Sequence, residues 1–239
     1  SGDPLIFKTG STTERMRITS NGNVGIGTTS PVFKLSLGDD GGIYSASPNY
    51  IPGGLYGGEP LSGTVLPNSS GTLMFWYPRK AAFRAGVIAP TMFNGDAWND
   101  ESIGISSAVF GINNMASGTA SFVGGGVFNT AQGASSFIGG GRYNTTTDNG
   151  YYSFIGNGRY NEISGSDSFI GGGYLNKVIG NYSIAFGYGM TVSGTNSFGI
   201  NVSTTPAVLG QNNNIALMGG NVGIGTTSPN ALLDISSNN

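Results

Sequence analysis

The chain has no cysteine and no histidine. The first absence removes disulfides and thiolate metal sites. The second removes the commonest general base, the Ser-His-Asp and Cys-His arrangements and the commonest zinc ligand. Charge is scarce as well: 9% of residues are Asp, Glu, Lys or Arg, and the formal net charge is −2. That is far below the roughly 25% of an ordinary globular domain. The ten basic residues are scattered and form no stripe for a phosphate backbone, which argues against nucleic-acid binding. No apolar run approaches the ~18 residues of a membrane-spanning helix, so no membrane insertion is expected. The opening residues SGDPLIFKTG lack the charged-then-apolar order of a secretory signal.

What the chain does have is glycine, 43 of its 239 residues, and a repeat. Copies of one unit start at Ser107, Ser121, Ser136, Ser153, Ser168 and Ser183, with a seventh start at Ser197. The units are therefore 14, 15, 17, 15, 15 and 14 residues long. Four positions after each start stands Gly111, Gly125, Gly140, Asn157, Gly172 or Gly187. Three positions before the next start stands Gly118, Gly133, Gly150, Gly165, Gly180 or Gly194. Helical-hairpin repeats need more than about 30 residues per unit, so the period excludes them. It predicts one coil of a β-solenoid: strand, turn, strand, turn. The first set of marks is read as turn residues with positive φ, for which glycine is the default and Asn157 the usual substitute.

Four regions follow. Residues 1–38 read as a short β shaft or cap module. LIFKTG and ERMRITS alternate apolar and polar residues, and Asn21-Gly22 signals a tight turn. Residues 39–101 read as an irregular insert rich in Gly, Pro and aromatics. Within it Leu73–Tyr77 suggests a buried strand, and Lys80–Ala85 is either a strand or one helical turn. Residues 102–203 are the repeat array. Residues 204–239 form a C-terminal β module, because NVGIGTTSP occurs at 23–31 and again at 221–229. Identical nonamers predict the same local structure twice, and the two modules would cap the open ends of the coil stack.

Side chains alternate across a strand, so Phe137 and Ile138 of one copy cannot both face the core. The same holds for Phe122/Val123, Phe154/Ile155 and Phe169/Ile170. One column fills the coil and the other makes an outward apolar stripe, which is read as an interface, buried by self-association around the long axis. At ~4.8 Å per strand, six coils make a rod of roughly 29 Å. Eight positions after the start stand Asn129, Asn144, Asn161 and Asn176, preceded by Phe128, Tyr143, Tyr160 and Leu175. Two readings of this column compete. One is a stacked asparagine ladder with the large residues packed on their neighbours. The other is an aromatic and amide surface suited to sugar rings or a receptor.

Other motifs carry less. Gly25-Ile26-Gly27 lacks the third glycine of a phosphate loop, since Ser30 and Pro31 follow, and reads as a strand bend. The FIGGG turns lack the repeating Asp of calcium-binding nonapeptides, so no metal is expected there. Asp96, Asp100 and Glu101 form an acidic turn before the array, read as solvated. Glu162, Asp167 and Asp148 carry no mark of the paired carboxylates that glycoside cleavage needs. No cofactor is expected. Trp76, Tyr77, Phe83 and Trp98 form the densest aromatic group. Core packing is their default, and Trp76, Tyr77 and Trp98 are the alternative binding residues if exposed.

Two resemblances are carried by these motifs. The copy SIAFGYGMTVSGTNSFG (183–199) is similar to the head repeat of trimeric autotransporter adhesins, with its Ser-x-Ala-x-Gly core. SSAVFGINNMASGTASF (106–122) is similar too. The central copies depart from that pattern, read as Phe in place of the small core residue. Separately, TERMRITSNGNVGIGTTSPVFKLSL (13–37) resembles a module of bacteriophage tail fibres and related bacterial surface proteins, where it often precedes an endosialidase-type intramolecular chaperone. NVGIGTTSPNALLDI (221–235) resembles the same module. Both resemblances imply homotrimers that act in attachment outside the cell.

The expectation is therefore an all-β, homotrimeric fibre segment. It has a central β-roll or β-solenoid of six coils, flanked by β modules. As a non-enzymatic component of a virion tail fibre it would engage a host-surface glycan or protein receptor. A bacterial surface adhesin is the alternative, and a polysaccharide-cleaving spike or an ice-binding solenoid are further ones. The candidate contact residues are Phe128, Asn129, Tyr143, Asn144, Tyr160, Asn161, Asn176, Trp76, Tyr77 and Trp98.

Overall fold

A computed structural model describes residues 2–10, 13–38, 71–77, 80–88 and 97–236. The chain divides into two compact units, residues 1–46 and 47–239. The expected insert residues 39–70 and 89–96, Asp96 among them, lie outside the described residues.

The second unit is a β-solenoid. A ten-stranded and a seven-stranded sheet face each other across one core. Nine strands of the larger sheet run parallel, from Ala82–Ile88 through Phe137–Ile138 to Ile215–Met218, and Gly71–Tyr77 joins its edge antiparallel. The smaller sheet runs parallel from Met115–Ala116 to Ala207–Leu209. The stack thus exceeds the six expected coils at both ends. Ala82–Ile88 pairs with Ala108–Ile112, so this part of the supposed insert is solenoid. Residues 207–218, assigned above to the C-terminal module, add further strands to the stack.

Many strands are two residues long, too short to stand alone. They persist because each coil repeats the register of the last: Phe122, Phe137, Phe154 and Phe169 align, as do Val123, Ile138, Ile155 and Ile170. The second column is the core. Val109, Val123, Ile138, Ile155 and Ile170 are fully buried against Ala131, Ile163, Val178 and Val192 of the other sheet. Burying each such Val or Ile stabilises by roughly 1.5–3 kcal/mol. Thr146 also points inward, and its hydroxyl pairs with the Ser136 hydroxyl at 2.8 Å. At Gly199 the core column has no side chain, and Met190 fills the space.

The alternation places Phe outside in every central copy. Ile or Val, not Phe, therefore replaces the small core residue of the adhesin-like pattern. In the copies starting at Ser107 and Ser183, Ala108 and Ile184 take the outward Phe position, and the ring moves two residues on, to Phe110 and Phe186. The ladder stays unbroken: Phe83, Phe110, Phe122, Phe137, Phe154, Phe169, Phe186 and Phe198 lie 4.9–6.2 Å apart, centroid to centroid.

The glycine rule needs correction. Positive φ falls one residue later than expected in the central copies, at Gly126, Gly141, Gly158 and Gly173, and Asn157 is not a positive-φ residue. The glycines before each start, such as Gly118 and Gly133, are fixed by close approach instead. A Cβ on Gly118 would lie 2.4 Å from the Gly133 carbonyl oxygen of the next coil. Bulky residues occupy the left-handed corners: Phe128, Tyr143, Tyr160 and Leu175 have φ of 55–59°. Of these, Phe128, Tyr143 and Tyr160 stack on one another.

The two nonamers fold alike, as expected. Val24–Ile26 pairs parallel with Leu35–Leu37, and Val222–Ile224 with Leu233–Ile235, in the same register. Asn23 donates to the Pro31 carbonyl at 3.2 Å, and Asn221 to the Pro229 carbonyl at 3.0 Å. Gly27 and Gly225 both have positive φ. In the first unit Leu5–Thr9 and Thr13–Ile18 form an antiparallel pair, and Gly22 closes the predicted turn onto the Thr19 carbonyl.

Candidate binding surface

The asparagine column is a buried ladder. Asn114, Asn129, Asn144, Asn161 and Asn176 are at most 1% exposed. Asn144 shows the unit of the ladder. Its amide nitrogen donates to Asn129 Oδ1 (3.1 Å), to the Gly140 carbonyl (2.9 Å) and to the Gly158 carbonyl of the next coil (2.9 Å). Its Oδ1 accepts from the backbone and side-chain nitrogens of Asn161 at 3.1 and 2.9 Å. The amide is thus saturated, and the four asparagines proposed as contact residues are structural. Asn114 was missed because its coil is short, which sets it seven residues after its start rather than eight.

The repeat-opening serines form a second ladder. Ser168 Oγ donates to the Gly180 carbonyl at 3.1 Å and accepts from the Ser183 backbone N–H at 3.1 Å. Ser183 repeats the pattern with Gly194 and Ser197. The two ladders fasten two corners of the coil, so what remains for binding lies outside them.

The aromatic group divides by strand alternation. Trp98 is 2% exposed, its indole N–H donating to the Asn114 carbonyl at 3.0 Å and its ring edge-on to Phe75. Tyr77 is buried, its hydroxyl 2.7 Å from Asp100 Oδ1. Lys80 also reaches Asp100, at 3.4 Å, so Asp100 of that acidic turn is paired rather than only solvated. Trp98 and Tyr77 therefore belong to the core, and the expected buried strand Leu73–Tyr77 is not buried throughout. Met74 and Trp76 point outward, 76% and 46% exposed. Trp76 stands opposite Phe83, at the foot of the phenylalanine ladder.

Arg84 marks the same end of the core. It continues the inward column in register with Val109 and is fully buried. It donates to the Ser107 carbonyl and hydroxyl and to the Ala116 carbonyl, at 2.9–3.2 Å. Burial pulls its pKa down to about 10, which leaves it charged at neutral pH.

Two outward surfaces result. The first is the outer face of the ten-stranded sheet. Its two outward columns run from Met74 and Trp76 through the phenylalanines to Ile200, Ile215 and Leu217, and no charged residue interrupts them. The second is a corner ledge. Phe128, Tyr143 and Tyr160 stack at 5.1 and 5.0 Å, and Tyr160 is 45% exposed. Beside them the bridge column reads Ile112, Val127, Arg142, Arg159 and Tyr174. Among the described residues no group of three or more Asp or Glu is placed to hold a metal ion. Glu162 is tied to Lys177 at 2.8 Å.

No protein-family model matches the chain, and no curated protein matches it either.

Proposed function

We propose that this chain is a structural and receptor-binding segment of an extracellular homotrimeric fibre, of the kind that attaches a phage tail to a bacterial host surface. The observation that carries the reading is the uninterrupted apolar outer face of the ten-stranded sheet. At ~4.8 Å per strand, ten strands make a strip roughly 45 Å long. Apolar patches of that extent mark interaction surfaces, and a strip parallel to the stacking axis suits closed rotational symmetry. Three copies each bury the strip and leave the polar sheet and the corners outward. Binding is multivalent: three weak, identical sites act through effective concentration on a frame that loses little entropy on binding.

The bacterial adhesin reading shares this architecture. The copies starting at Ser107 and Ser183 favour it, since in these two adhesin-like copies the outward Phe position holds Ala108 and Ile184. Labelled chain on intact cells separates the two. Saturable labelling of bacterial cells, competed by unlabelled chain, is the outcome expected of a tail fibre. Labelling of animal cells or matrix alone points to the adhesin, and labelling of neither sinks the attachment function.

A further inference from the structure

Arg142 and Arg159 are direct register partners on adjacent coils. Both are exposed. Like charges set side by side on a sheet repel and destabilise. The opposite sheet shows the neutralised arrangement: Glu162 and Lys177 are also register partners, and they pair at 2.8 Å. The two arginines have no acidic partner among the described residues; each lies beside a tyrosine instead. The Arg142 guanidinium is 4.9 Å from the Tyr143 ring centroid, and that of Arg159 is 5.1 Å from the Tyr174 centroid. Such contacts steady a guanidinium while its N–H groups remain free to donate.

The neighbouring rings decide which anion fits. Tyr143 is sandwiched between Phe128 and Tyr160, 8° and 18° from parallel, so both its faces are occupied, and Tyr174 packs edge-on against Tyr160. Bases of a single-stranded nucleic acid need free aromatic faces. What the ledge offers is edges: phenol hydroxyls, which donate and accept, next to two guanidinium forks that match a carboxylate. Hydroxyl-rich ligands with carboxylates answer both demands.

We propose that Arg142 and Arg159, with the Tyr143 and Tyr160 hydroxyls, bind a carboxylate-bearing oligosaccharide, a uronic-acid chain being the simplest case. The inference rests on the receptor-binding reading above and names its ligand class. The test is calorimetric titration of the intact chain with trigalacturonate, its full methyl ester and a 15-mer of deoxythymidine. The acid binds, the ester binds at least tenfold more weakly, and added salt weakens the acid's binding. The double variant Arg142→Gln/Arg159→Gln loses at least tenfold in affinity for the acid, while Lys177→Gln does not. Absent binding of the acid, equal binding of the ester, an unchanged double variant, or tighter binding of the oligonucleotide each overturns the proposal. Native mass and cell labelling, run on the same samples, separate the failures. A trimer that still labels cells without binding uronate leaves the fibre reading standing, whereas a monomer that labels nothing removes both.

Discussion

The solenoid's two sheets share an inner surface and differ on the outside. Inward, both present mostly Val, Ile, Ala or Thr at matching positions. Outward, the ten-stranded sheet shows a ladder of phenylalanines, and the seven-stranded sheet shows Met115, Thr130, Thr145, Glu162, Lys177, Thr191 and Val208. The inner columns and the two polar ladders specify the coil. The outer columns are free of that duty, and on the proposed reading their divergence reports what each face would meet: a partner on one side, water on the other.

Substitutions test this division by size of effect. Asn144→Asp exchanges a saturated buried amide for a carboxylate facing two carbonyls, and it destabilises by about 3–5 kcal/mol, read by chemical denaturation. Ile155→Ala, in the inner column, costs about 2–4 kcal/mol in the same assay. Thr145→Ala, on the outer polar column, stays within about 0.5 kcal/mol. The neighbours Gly125 and Gly126 separate next. Gly126→Ala costs about 2 kcal/mol or more, because its φ is positive and its Cβ would lie 2.1 Å from the Gly141 carbonyl oxygen. Gly125→Ala has open space and is neutral or slightly stabilising. Smallest is Glu162→Gln, which breaks a part-exposed pair and shifts stability by about 0.5 kcal/mol or less, vanishing in high salt.

Much of this was legible in the residues. Period, coil type and the facing of Phe and Ile in opposite directions follow from spacing and strand alternation, whereas which of the two enters the core did not. The duplicated nonamer announced a duplicated pair of strands. The asparagine column was visible, but its role was not, because saturation of an amide depends on carbonyls that two neighbouring coils supply. The glycines misled for a related reason. Gly125 and Gly126 are identical letters, and only the corner geometry assigns positive φ to the second. The extent of the stack was hidden as well: Ala82–Ile88 and Ile215–Met218 lack the Ser-x-x-x-Gly marks yet pair in register. Arg84 in a core column is not readable from a pattern that places only apolar residues inside. Register also pairs Arg142 with Arg159, which lie on adjacent coils and 17 residues apart because the unit that carries Arg142 is the longest.

The most direct test of the whole account is the native mass of the chain, alone and with lysines set into the phenylalanine ladder. The wild-type chain is expected at three times 24.4 kDa. Phe137→Lys/Phe154→Lys is expected as a folded monomer, and Thr145→Lys on the opposite sheet remains a trimer. A wild-type monomer, or a trimer indifferent to the two lysines, would contradict the assignment of the aromatic face to self-association.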